Sequence, residues 1–194
     1  MGRWEPNARE RLQQAAMELY AKRGFESTAV ADIAERAGLT ERTFYRHFAD
    51  KREVLFYGAG ALQEFLVGAV EKAPSSSAPI EVIVSALVEA ATSVFEERRE
   101  FARRRQAIIV ANVELLEREL VKLATLASAL ADALRQRGVP DPVASLAAEA
   151  GISLFKVAFQ RWVDDSGKKT LAHFIRESSS QMKAVTAGRR PAPR

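Results

Sequence analysis

The chain of 194 residues contains no cysteine. That excludes a disulfide framework, a thiolate zinc site and a thiol nucleophile, and it makes a reducing cytoplasm the natural compartment. Histidine is nearly as scarce. His47 and His173 are the only two, so a histidine-rich metal site is not expected. Neither has Glu three residues before it, the spacing of a helical carboxylate metal centre. No glycine-rich phosphate loop is present. No 18 apolar residues run together, so no membrane span is expected, and residues 1–11 are too polar for a signal peptide. These absences leave little with which to build a catalyst, and the expectation is a non-enzyme with no cofactor and no metal.

Alternating runs of β-branched residues are also missing, which predicts an all-α fold. There is no repeat of fixed period, so a helical solenoid is not expected. The net charge of +4 suggests an anionic partner only weakly. Lys183, Arg189, Arg190 and Arg194 account for all of it. The Gly/Pro/Arg-rich tail, residues 187–194, is expected to be disordered and to add phosphate attraction that fades with salt.

What is present is helical periodicity. Leu12, Ala16, Leu19 and Tyr20 predict a first helix that stops at Gly24 after Lys22 and Arg23. Val30, Ile33, Ala34 and Ala37 predict a short second helix with Thr28 as its N-cap. Gly38 breaks the pattern, and a third short helix is expected over residues 40–48. Residues 50–53 (Asp-Lys-Arg-Glu) resemble a capping box that opens a fourth helix carrying Leu55, Ala59, Leu62 and Leu66. The Pro/Ser-rich stretch 73–79 is the clearest boundary. Beyond it lie stripes at 80–95 and 116–134, a helix opened by Asp141 and Pro142, and a last one over Leu171, Phe174, Ile175, Ser178 and Met182. The expected organisation is residues 6–52, residues 53–186 and the tail 187–194.

Residues 25–55 carry the most information. Two short helices separated by a glycine turn cannot stand alone. They must pack on each other and on the first helix, through Ile33, Ala34, Ala37, Phe44 and Phe48, as a helix-turn-helix does. In that motif the second helix lies in the DNA major groove. Between residues 36 and 52, five basic residues (Arg36, Arg42, Arg46, Lys51, Arg52) face two acidic ones (Glu41, Asp50), with Tyr45, Thr40, Thr43 and His47 interleaved. Arginine pairs bidentately with guanine, and hydroxyls hold phosphates. The plainer alternatives are a surface aromatic for Tyr45 and a first-turn acid for Glu41.

This run resembles the DNA-binding domain of the TetR family of transcriptional regulators. The matching residues are Gly24-Phe25, Thr28, Val30, Asp32-Ile33-Ala34, Ala37-Gly38-Leu39, Thr43-Phe44-Tyr45, His47-Phe48, Lys51 and Leu55. Ala29 departs, standing where many members carry a second Thr. The resemblance implies a layout of about nine helices, with a three-helix N-terminal domain before a larger helical effector-binding and dimerisation domain. It implies phosphate contacts from Thr28, Tyr45, His47 and Lys51. It places Thr40, Glu41, Arg42, Thr43 and Arg46 on the recognition helix, with Arg42 and Thr43 reading bases and Arg46 near a phosphate. It also implies a ligand-released repressor that binds a near-palindromic operator as a homodimer through its last two helices. Residues 98–116 and 123–162 resemble the subgroup that includes the mycofactocin-system regulator, with Val113 in place of a proline. That subgroup implies a hydrophobic or acyl-CoA effector. The residues expected to line its pocket are Phe65, Phe95, Phe101, Arg105, Ile108, Leu123, Phe155, Phe159 and Trp162, each of which plain core packing would also explain. The arginines of residues 98–105 read equally as a solvated, self-paired face. The small residues Ala144, Ser145, Ala147, Ala148, Ala150, Gly151 and Ser153 suit a close helix contact, either between subunits or within one. The rival to a DNA-binding regulator is a helical small-molecule carrier or adaptor, which would have no reason to keep residues 40–51 basic and aromatic.

Overall fold

A computed structural model describes residues 8–188. The basic end of the expected tail, residues 189–194, lies outside the described residues, as do residues 6 and 7 of the expected first domain. Nine α-helices and no strand occur among the described residues: α1 Ala8–Arg23, α2 Val30–Arg36, α3 Glu41–His47, α4 Ala59–Lys72, α5 Pro79–Ala90, α6 Arg99–Val110, α7 Val113–Gln136, α8 Asp141–Asp164 and α9 Leu171–Thr186. A 3₁₀ turn at Glu53–Phe56 precedes α4, and a π-helical segment, Ala91–Phe95, extends α5. The chain divides into two compact units, residues 1–59 with 103–119, and residues 60–102 with 120–194.

In the first unit, α1 buries Leu12, Ala15, Ala16, Leu19 and Tyr20. Against that stripe lie Ile33 and Ala34 of α2 and Phe44 of α3, and Phe44 is fully enclosed. The seven-residue α2 and α3 exist because this burial offsets a nucleation cost that neither meets alone. Gly38 turns the chain between them at φ +64°, a conformation that costs a residue with a Cβ roughly 1–2 kcal/mol.

Three local expectations need correction. Thr28 does not cap α2. Ala29 holds the N-cap position, and its N–H donates to the Asp32 carboxylate at 3.0 Å. The Thr28 hydroxyl is fully buried and donates instead to the Gly24 carbonyl at 2.8 Å. Second, Asp50 does what a capping residue does, accepting from the N–H groups of Arg52 at 2.8 Å and Glu53 at 3.1 Å. It opens only the single 3₁₀ turn, because Tyr57 swings out to ψ 129° and α4 begins afresh at Ala59. Third, Asp141 is the first residue of α8 and not its cap; its carboxylate pairs with Arg135 across the turn.

Asp50 gives a pH signature. Burial alone would raise its pKa. The Arg52 guanidinium, at 2.8 Å, and the N–H groups of Glu53 and Arg52 outweigh burial and hold it below the ordinary carboxylate value. A folded pKa below the unfolded one, near about 3.9, contributes stability that is present above the unfolded value and lost as pH falls through the folded one. Asp50→Asn is therefore expected to unfold at lower urea than wild type at pH 7. The gap should narrow as pH drops from about 4.5 towards 2.5. Urea midpoints across that range check it, and a gap that stays constant would sink the assignment.

In the second unit α5, α8 and α9 enclose the core. Ile83, Leu87, Ala144, Ala148, Ile152, Leu154, Trp162, Leu171 and Ile175 are all buried there. Of the small residues on α8, Ala144, Ala147, Ala148 and Gly151 face this core, whereas Ser153 is exposed. The close contact they serve is thus with α5 of the same subunit. The α8 helix is long and apolar enough to cross a membrane, and this packing accounts for its composition. Residues 53–72 are comparably apolar, but the break at Tyr57 interrupts them. The π-helical segment presents Phe95 to three aromatic rings of α8, at 6.1 Å from Phe155, 6.1 Å from Phe159 and 6.3 Å from Trp162.

Candidate nucleic-acid interface

Helix α3 begins at an N-cap that the sequence specifies. The Thr40 hydroxyl accepts from the Thr43 N–H at 3.2 Å and lies 3.0 Å from the Thr43 hydroxyl. Phe44 anchors the helix from below. Its ring meets Tyr45 edge-on at 5.5 Å and Phe48 at 5.6 Å. The opposite face carries Thr40, Glu41, Arg42, Tyr45 and Arg46, all exposed, with Thr43 half-buried beside them. Tyr45 is 56% exposed, which is far from a core position.

The local excess of positive charge resolves into distinct jobs. Arg36 pairs with Glu18 of α1 at 2.6 Å, and Arg52 pairs with Asp50 at 2.8 Å. Lys51 places its ammonium on three backbone carbonyls, Phe25 at 2.9 Å, Thr28 at 3.1 Å and Glu26 at 3.3 Å. Arg42 and Arg46, both exposed, make no ion pair among the described residues. The cations free to meet an anion are therefore the two on the exposed face of α3, at an i,i+4 spacing that sets them one above the other.

His47 closes the helix. Its Nε2 is shielded from water and has no hydrogen-bond partner among the described residues. Burial first, then the charges of Arg46 and Arg9, lower its pKa, so the imidazole is neutral at pH 7 and offers an N–H rather than a charge. Two residues grouped with α3 by sequence are placed elsewhere. The Thr28 side chain is enclosed, and Lys51 is committed to the loop before α2. Sequence reasoning missed Arg11. From α1 it donates to the Ala37 carbonyl at 2.6 Å, a contact across 26 positions that no local pattern announces.

The residues expected at an effector pocket separate. Phe65, Phe95, Phe101, Phe155, Phe159 and Trp162 belong to the second unit, Arg105 and Ile108 to the first. Phe95, Phe155 and Phe159 are half-buried around the enclosed Trp162, and Phe65 and Leu123 pack on the same core. The Arg99 guanidinium sits 5.3 Å from the Trp162 ring centre and donates to the Gly167 and Lys169 carbonyls. Ile108 is buried. Arg105 donates to the Leu55 carbonyl at 2.7 Å and pairs with Glu119 at 2.8 Å. Arg99 lies 3.6 Å from Asp165, so these two arginines find partners beyond the charged stretch that contains them.

Comparison with known proteins agrees with this geometry. Residues 12–57 match the profile of bacterial regulatory proteins of the tetR family, and residues 77–187 match that of the MftR C-terminal domain. The HTH-type transcriptional regulator TcmR of Streptomyces glaucescens is 37% identical over 78 residues, 40% of this chain and 34% of TcmR. A mycofactocin biosynthesis transcriptional regulator MftR from Mycobacterium tuberculosis is 35% identical over 54 residues, 28% of this chain and 27% of that protein. The chain thus spans about a third of the length of these curated relatives. Among solved structures, a transcriptional regulator from Pseudomonas aeruginosa PAO1 superposes with a TM-score of 0.66 at 18% identity, covering 96% of this chain and 94% of its own. FadR from Bacillus subtilis, solved with stearoyl-CoA, superposes with a TM-score of 0.62 at 20% identity, covering 93% and 99%. At these identities the superpositions establish the fold.

Proposed function

The chain belongs to the TetR family of bacterial regulatory proteins and carries an MftR-type C-terminal domain, and from that premise we propose that it is a homodimeric, DNA-binding transcriptional repressor of the cytoplasm released by a small effector. The family is one of regulators, not of enzymes. The observation that carries the reading is the exposed face of α3, where Arg42, Tyr45 and Arg46 stand clear of the protein while Phe44 is fully enclosed beneath them. Arg42 and Thr43 read base edges. Tyr45, Arg46, Thr40 and the His47 N–H hold phosphates, and Glu41 accepts from cytosine or steadies the helix start. Thr28 and Lys51 act through the backbone they support. The DNA-binding domain is residues 6–52, and residues 53–186 serve effector binding and dimerisation.

The partner subunit docks on α8 and α9, where Val143, Leu146, Val157 and Val185 expose apolar surface and where a second copy builds a four-helix bundle. Each subunit then places one α3 in the major groove, with half-site centres about one helical turn or more apart. The effector is hydrophobic, of the acyl-CoA class. The half-buried Phe95, Phe155 and Phe159 around Trp162 support an apolar ligand. Binding releases DNA only in so far as it favours one conformation, and about 2.7 kcal/mol of differential affinity corresponds to roughly 100-fold release.

A gel-shift selection against a genomic fragment library tests the reading. Wild type is expected to enrich near-palindromic sites over bulk DNA, and sedimentation at micromolar concentration to give a dimer. Binding no tighter to any site than to bulk DNA would return the chain to the carrier or adaptor reading.

A further inference from the structure

Arg11 and Lys51 lie outside the two helices of the helix-turn-helix, yet each grips the backbone at one of its corners. At the turn between α1 and α2, the Lys51 ammonium reaches the carbonyls of Phe25, Thr28 and Glu26 and stands 4.4 Å from the centre of the Phe25 ring. An ammonium has three donors, and three carbonyls occupy them. The Lys51 carbonyl is itself held by the Tyr20 hydroxyl at 2.6 Å. Burial, and next the charge of Asp50, push that phenol's pKa up, so it stays a donor. At the turn between α2 and α3, Arg11 donates to the carbonyl of Ala37, the C-cap of α2, with Gly38 O at 3.5 Å. Carbonyls at a helix C-terminus lack intrahelical partners and carry the negative end of the dipole, so a cation is favoured there. The fit is close: a Cβ on Gly38 would come within 3.0 Å of the Arg11 guanidinium.

We infer that Arg11 and Lys51 are positioning residues that set the pose of α3 by clamping the two turns of the helix-turn-helix, and that Lys51 does not hold a phosphate. This rests on the reading of α3 as the DNA-contacting helix. A phosphate on Lys51 would have to draw the ammonium from three carbonyls and loosen the loop that carries α2. The clamps instead convert two cations into geometry: they add to discrimination between sequences and little to the sequence-independent attraction.

Counterion release separates the two roles, since each lost phosphate contact lowers the slope of log affinity against log salt by about one. The experiment uses the full chain, the selected operator and a scrambled duplex, from 50 to about 300 mM KCl. The variants are Lys51→Met, Arg11→Gln and Arg46→Gln. Lys51→Met and Arg11→Gln are expected to keep the wild-type slope, to lose about tenfold on operator and to lose less than about twofold on scrambled DNA. Arg46→Gln should lower the slope by about one per subunit and weaken both duplexes alike. A slope reduced by Lys51→Met as much as by Arg46→Gln, with equal loss on both duplexes, overturns the inference while leaving the regulator reading intact. Wild type that prefers no sequence removes both. If Lys51→Met does not fold, Lys51→Arg decides: a phosphate contact recovers with the restored charge, whereas the planar guanidinium cannot reproduce the three-carbonyl grip and discrimination stays impaired. Full recovery by Lys51→Arg overturns the clamp.

Discussion

Arg42→Ala combined with Tyr45→Ala is expected to abolish selective operator binding while leaving the fold intact. Both side chains are exposed, so the cost falls on the complex. A bidentate arginine–guanine contact discriminates by about 1–3 kcal/mol. A dimer presents each contact twice, once per half-site. Losing the arginine contacts alone removes roughly 2–6 kcal/mol, about 30-fold or more in operator affinity. Loss of the Tyr45 hydroxyl adds a smaller, sequence-independent weakening. The ring of Tyr45 also meets Phe44 edge-on, a contact of about 0.5–1.5 kcal/mol. Tyr45→Phe keeps that contact and isolates the hydroxyl. Affinities on operator and scrambled duplex, beside thermal midpoints, check the prediction. An operator preference that survives the double substitution would place base reading elsewhere.

The same helix illustrates what the sequence could convey. The roles of Thr40 and Phe44 are legible in one dimension. A hydroxyl before a short amphipathic run caps it, and an apolar residue at the right phase is buried. The roles of Thr28, Lys51 and Arg11 are not. A threonine before a helix and a lysine after one have the same local signature whether they face solvent or a neighbouring carbonyl, and the deciding contacts join residues 23 and 26 positions apart. Residues 50–53 show a middle case. The acceptor and its N–H partners are the expected ones, but Tyr57 ends the turn before it becomes α4. In the second unit the aromatic residues were identifiable as apolar, whereas the π-helical segment that brings Phe95 onto Phe155, Phe159 and Trp162 depends on backbone register that periodicity does not encode.

The small residues of α8 had two readings, and Gly151→Ala separates them by experiment. A Cβ added at Gly151 would lie 2.3 Å from Ile83 Cγ2 and 3.4 Å from its Cβ. Optimal carbon contacts are about 3.5–4.0 Å, so α5 and α8 would have to part by more than an ångström. Ile83 is fully buried and has nowhere to swing, and close-packed interiors yield little. Alanine in place of a helical glycine gains up to about 1 kcal/mol, whereas overpacking costs about 1–3 kcal/mol or more. With a contact this short the clash wins, and Gly151→Ala should lower the thermal midpoint by roughly 5–10 °C, at 2–4 °C per kcal/mol. Ile83→Ala removes the clashing methyl. It should cost about 2–5 kcal/mol in the wild-type background and markedly less beside Gly151→Ala, giving a strong coupling in the double-mutant cycle. Were Gly151 at the subunit interface, its substitution would instead weaken the dimer and leave the coupling with Ile83 near zero. A midpoint at or above wild type would mean that helix propensity outweighs the contact, and that α5 and α8 sit further apart than Ile83 and Gly151 imply.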